Sequence, residues 1–95
     1  MKIMMIFLNR KQMKLSRRQT NEILGFRRAI KRGWHWCSNI SWKDCISFFY
    51  YYKCYRWEYG GENISIACYE NWLNHVSIKI SERNPYKSRY RELFG

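Results

Sequence analysis

The residues best suited to nucleophilic or metal chemistry in this 95-residue chain are four cysteines and two histidines, and their spacing argues against both chemistries. Cys37, Cys45, Cys54 and Cys68 follow one another at intervals of eight, nine and fourteen residues. Structural zinc sites draw ligands from close Cys-x-x-Cys pairs, a spacing that does not occur here. His35 with Cys37, or His75 with Cys68, would supply only part of a ligand set. A Cys–His nucleophilic pair would depend on the fold bringing its members together. There is no Gly-rich phosphate loop, no serine nucleophile motif and no close pair of carboxylates. Six acids (Asp44, Glu58, Glu62, Glu70, Glu82 and Glu92) fall where turns and element ends are expected, the pattern of solubilising residues. A non-enzymatic protein is expected, with no catalytic residue, metal, cofactor or small-molecule substrate.

What the chain has in excess is positive charge. The formal net charge is +11. Residues 1–33 hold ten bases and one acid, Glu22, so +9 lies in the first third and +2 in the remaining 62 residues. A field this lopsided attracts polyanions and is screened by salt.

The element that would carry this charge is a helix. In "SRRQTNEILGFRRAIKRG", Ser16 followed by Gln19 has the form of a capping box. Gly33 offers a left-handed stop. A helix over residues 16–32 follows, with Ile23, Phe26 and Ile30 within roughly a 60° sector at 100° per residue. Arg17, Arg28, Lys31 and Arg32 lie on the opposite side, with Arg18 and Arg27 at its flanks. Leu24 sits among these bases, and Asn21 is their neighbour. Arginine's planar fork suits phosphates and guanine edges. A solvated helix face would mix charge signs for i,i+4 pairing; this one carries a single acid.

The rest reads as strands. "SFFYYYKCYRW" is rich in aromatic strand formers, and the runs 47–58, 63–69 and 75–82 make an antiparallel meander within residues 34–82, turning at "YGGEN". "WHWC" suggests an edge strand. In this register Tyr51, Tyr55 and Trp57 face inward with Ile64, Ile66, Cys68, Val76, Ile78 and Ile80, under the apolar side of the helix. Phe48, Tyr50, Tyr52 and Tyr69 occupy the other side, near Arg56 and Lys79. Rings interleaved with cations on an open sheet are a means of stacking single-stranded bases. The alternative is a second small core, covered by the tail, the N-terminal run or the Trp-rich loop. Residues 85–94 form a short helix after Pro85, with Tyr86, Tyr90 and Leu93 or Phe94 on one side. Residues 1–15 are a basic segment, flexible or a short strand. The fold class expected is α+β, one small domain with a basic helix packed on a three- to four-stranded antiparallel sheet.

The apolar run from Ile3 to Leu8 is too short for a secretory core or a membrane span. Reduced, mostly buried thiols are therefore expected, and a cytoplasmic location. A basic amphipathic helix can lie on a membrane, but this one needs its apolar side for the core, so no membrane partner is expected.

A basic helix followed by "GWHW" and a short aromatic meander resembles, in size and layout, small phage-encoded proteins that include anti-CRISPR proteins. This likeness transfers no individual residue. Two functions follow. One is a nucleic-acid-binding protein contacting DNA or RNA through Arg17, Arg18, Arg28, Lys31 and Arg32, with Trp34, Trp36, Tyr50, Tyr52 and Arg56 adding stacking and charge. The other is a phage-encoded inhibitor or adaptor that uses the same residues on a nucleic-acid-processing protein complex.

Overall fold

A computed structural model describes residues 15–33, 39–61 and 65–94. Four helices occupy them: α1 (Arg17–Gly33), α2 (Trp42–Tyr59), α3 (Ile66–Leu73) and α4 (Lys87–Phe94). Among the described residues there is no β-strand. The expected α+β fold with its antiparallel sheet is thus replaced by an all-helical bundle. The strand proposed within residues 1–15 and the one at Trp34 to Cys37 lie outside the described residues, apart from Leu15, which packs against the core.

The first helix is as the sequence reads. The Gln19 N–H donates to Ser16 Oγ (3.1 Å) and the Ser16 N–H to Gln19 Oε1 (3.0 Å), closing the capping box. Ile23, Phe26 and Ile30 are buried. Burying side chains of this size stabilises the fold by about 1.5–3 kcal/mol each. The stop differs from expectation: Gly33 is the last helical residue, and among the described residues the glycines with positive φ are Gly60 (78°) and Gly61 (92°).

The aromatic run is the centre of the bundle. Ser41 caps α2 by accepting from the Asp44 N–H (3.1 Å), and Asp44 adds negative charge at the positive end of the helix dipole. Gly60 closes the other end, its N–H donating to the Arg56 carbonyl at 2.7 Å. Between these caps Cys45, Ile46, Phe48, Phe49, Tyr50, Tyr51, Tyr52 and Cys54 are all buried. At 100° per residue they point in every direction, as in a helix enclosed by others. Phe26 of α1 meets Phe48, Phe49 and Tyr52 at centroid distances of 5.5, 5.2 and 5.4 Å. Tyr69 and Trp72 of α3 meet Phe48 at 5.3 and 5.1 Å. Tyr90 and Phe94 of α4 meet Tyr51, each at 5.7 Å. Consecutive aromatics are required because α1, α3 and α4 each need rings on their own side of α2.

The proposed strand over 63–69 gives way to α3, with residues 62–64 outside the described set. Ser65 caps this helix, accepting from the Cys68 N–H at 3.1 Å. It ends in a Schellman motif: the His75 N–H donates to the Trp72 carbonyl and the Val76 N–H to the Asn71 carbonyl, with His75 at φ 54°. Trp72 Nε1 donates to Ser47 Oγ across the α2–α3 contact (3.0 Å).

The third proposed strand, 75–82, contains an extended strap without sheet partners. Ile78 and Ile80 pack on the core as expected, but Val76 is exposed. Tyr51 Oη donates to the Val76 carbonyl (3.1 Å). Further on, the Ser81 N–H donates to Glu58 (2.7 Å). Buried Asn84 donates to Glu58 (3.0 Å) and to the Cys54 carbonyl (3.3 Å), and accepts from the Tyr86 N–H (2.9 Å). These bonds hold the strap against α2 and aim α4, whose Tyr90 is buried and whose Leu93 and Phe94 pack on the core beside Tyr86.

Candidate nucleic-acid interface

Docking Ile23, Phe26 and Ile30 against α2 fixes which side of α1 meets solvent. Arg17, Asn21, Leu24, Arg28, Lys31 and Arg32 recur at spacings of three and four and are all exposed. They form a stripe along the helix, about 22 Å long at 1.5 Å per residue. Leu24, 38% exposed, is an apolar contact in the middle of it. The helix carries six bases and one acid, a net +5. That acid, Glu22, lies off the stripe, at a hollow shared with Tyr50, Arg89 and Glu92.

Electrostatics sharpen both ends. Lys31 and Arg32 fall in the last turn, where the helix dipole favours cations. Arg17 and Arg18 open a helix with no acid in its first turn. There the dipole's positive end adds to two guanidinium groups, and the local potential rises. Arg27, on the flank, is half-buried, with its Nε unbonded among the described residues.

The other residues expected at the interface divide. Arg56 is exposed near the end of α2. Tyr50 and Tyr52 are core residues, 5% and 8% exposed, so the open ring-bearing sheet face does not exist. Burial raises the Tyr50 phenol's pKa, partly offset by the nearby Arg89 guanidinium, whose carbon stands 5.7 Å from the ring centroid. Trp34 and Trp36 lie outside the described residues. Conversely Trp57, assigned to the core in the sheet register, is 44% exposed. Lys53, Arg56 and Trp57 stand at i, i+3 and i+4, one side of a helix. That relation is visible in the sequence once the run is read with a helical period.

Nucleophilic chemistry finds no support in the described thiols. Cys45, Cys54 and Cys68 are free and buried. Burial pushes Cys45 up to about 11, against the opposing pull of Arg27 and Lys31, and pushes Cys54 and Cys68 up to about 12. They are protonated at neutral pH, and the thiolate is the nucleophile and metal ligand. No group of three His, Cys, Asp or Glu residues is placed to hold a metal among the described residues. Nor is any described helix long and apolar enough to cross a membrane. No family model, curated protein or solved structure matches the chain.

Proposed function

We propose that this chain is a small, non-enzymatic nucleic-acid-binding protein of the cytoplasm that grips the phosphate backbone with the outer side of α1. The observation that carries this reading is the exposed stripe of Arg17, Arg28, Lys31 and Arg32, opposite the buried triad on the same helix. None of these four forms an ion pair among the described residues, whereas Glu82 pairs with Lys87 and Glu92 with Arg89. Cations left without protein carboxylates are available to phosphates. Arg18 flanks the stripe at the positive end of the helix dipole, and Asn21 and Leu24 provide a hydrogen-bonding group and an apolar contact for bases or sugars.

The test is a salt series on fluorescent DNA and RNA with the wild type and the double variant Arg28→Glu/Arg32→Glu. Wild-type affinity falls steeply with salt, because each neutralised phosphate releases counterions. Losing two contacts lowers the slope of log affinity against log salt by about 1.4–1.8 in magnitude, at ~0.7–0.9 per contact. Unchanged binding by the double variant would remove the helix from the interface.

A second function, blocking or adapting a nucleic-acid-processing protein complex, draws on a different observation. Ile66 and Leu73 are exposed, 52% and 49%, and lie one heptad apart on the outer side of α3. Two apolar groups on one side of a helix offer a surface on which a protein partner could seat. Tight binding would then require the protein partner, and Ile66→Asp/Leu73→Asp would abolish it while leaving free nucleic acid unaffected.

A further inference from the structure

We infer that the chain holds a single-stranded segment of nucleic acid, with one unstacked base laid on Trp57 and the flanking phosphates held by Lys53 and Arg56. This deepens the function proposed above and rests on it.

The site is a hollow of about 500 Å³ at the C-terminal end of α2, lined by Lys53, Arg56, Trp57, Gly60, Gly61 and Tyr86. Its chemistry is that of a stacking site. Trp57 presents a half-exposed indole, and two cations stand one helical turn or less away. Lys53 is held in place by rings, its Nζ lying 5.3 Å from the Phe49 centroid and 5.8 Å from that of Tyr86. Neither Lys53 nor Arg56 pairs with a carboxylate among the described residues. At Gly60 and Gly61 positive φ keeps the turn free of side chains, and nothing lies within 4 Å of where a Cβ would stand. A strand can therefore pass close to the backbone beside the indole.

This hollow neighbours another that reaches the basic helix. Tyr86 lines both it and the neighbouring hollow of about 340 Å³ between α1 and α4. Glu22 in turn lines that hollow and a third one, beside Arg17, Arg18 and Asn21. The start of α1, Arg89 and Trp57 thus stand on neighbouring hollows that share lining residues, with cations at both ends. Two acids line these hollows: Glu22, beside Arg17 and Arg18 at the α1 end, and Glu92, bonded to Arg89 at 2.7 Å. The exposed indole suits a single strand. In a duplex the base faces are occupied by neighbouring bases; in a single strand they are open to an aromatic ring.

The experiment compares the wild type, Trp57→Ala, Trp57→Phe and the α1 double variant on fluorescein-labelled oligothymidylate and its duplex with oligoadenylate. A length of about 12 nucleotides lies within the span of small single-strand binders. Circular dichroism confirms that each variant is folded. The expected result is that Trp57→Ala loses about 5- to 150-fold in affinity for the single strand, the range for one base–ring stack. Trp57→Phe regains most of it, and duplex binding is unmoved. Equal single-strand affinity for Trp57→Ala and wild type, while the α1 variant fails to bind, overturns the inference and leaves the basic-helix interface standing. So does wild-type binding to the duplex alone. Wild-type protein that binds neither form overturns both.

Discussion

Replacing Phe26 by alanine tests whether α1 is attached as described. The ring is 9% exposed and meets three others, those of Phe48, Phe49 and Tyr52, with centroids 5.2–5.5 Å away. Truncating a buried phenylalanine costs about 3–5 kcal/mol in lost transfer energy and cavity formation. Three aromatic pairs place this site at the upper end, since each contributes about 0.5–1.5 kcal/mol beyond its area. A domain of this size is stable by about 5–15 kcal/mol, so a large share of the total disappears. At about 4–8 °C per kcal/mol, the upper end of that cost lowers Tm by roughly 16–40 °C. Phe26→Leu retains most of the apolar volume and loses the three ring pairs, with an expected cost of at least about 1.5 kcal/mol at ~0.5 kcal/mol or more per pair. Urea titrations followed by far-UV circular dichroism give both values. A cost below about 1 kcal/mol for Phe26→Ala would refute the ring cluster at this position, because a buried aromatic with three ring neighbours cannot be removed so cheaply. Salt-dependent binding by Phe26→Leu should match the wild type, because the change lies on the side of α1 away from the stripe.

Other perturbations reach the remaining elements. Asn84→Ala removes two of the bonds joining the strap to α2 and the one to the Tyr86 N–H, and should cost about 1.5–4.5 kcal/mol, at ~0.5–1.5 kcal/mol per net hydrogen bond; an unfolding midpoint equal to wild type would remove Asn84 from this role. Cys45, Cys54 and Cys68 are raised from 9.0 to about 11, 12 and 12, so above pH ~9 the unfolded chain loses protons that the folded chain retains. Their contribution to stability is complete below that pH and declines towards pH 11–12; the buried phenols of Tyr50, Tyr51 and Tyr90 act in the same direction. Urea midpoints measured across this range should fall, and a flat profile would contradict the burial of the thiols. Two backbone changes should stabilise: Gly25→Ala within α1, where a Cβ would make ordinary 3.8 Å contact with Arg28, and His75→Gly at the positive-φ end of α3. Each should add about 0.5–1 kcal/mol, read as a higher urea midpoint at constant slope.

The first helix was legible because it is amphipathic: one side is apolar, the other basic, and the cap has a local motif. The tail helix was legible for the same reason, with Tyr90 inward beside Leu93 and Phe94. Failure came at α2. A helix buried all round carries no period of its own, so the β preference of aromatic residues filled the gap. Two signals were nevertheless present. Ser41 and Asp44 have the spacing of a helix cap, and the 18 residues of α2 exceed an ordinary strand. Once α2 is read as a strand, period two alternates exposure: it sends Trp57 inward and Tyr50 and Tyr52 outward, the reverse of the structure. Of the interface, the stripe on α1 could be read directly. The hollow at Trp57 could not, because it depends on Tyr86, far along the chain, folding back beside Lys53.

The central place of α2 has a consequence for how this chain can change over time. Among the described residues each substantial helix pairing includes α2, with α1, α3 and α4 arranged around it. The three outer helices therefore act as separate spokes on one hub. A spoke's outward side can be rewritten residue by residue without disturbing how the others seat, since exposed substitutions typically move stability by no more than about 0.5 kcal/mol. The hub has no such freedom over Cys45 to Cys54, where almost every side is occupied. Novelty in what the protein recognises is thus cheapest on the outside of α1 and at the uncovered end of α2, where Arg56 and Trp57 emerge.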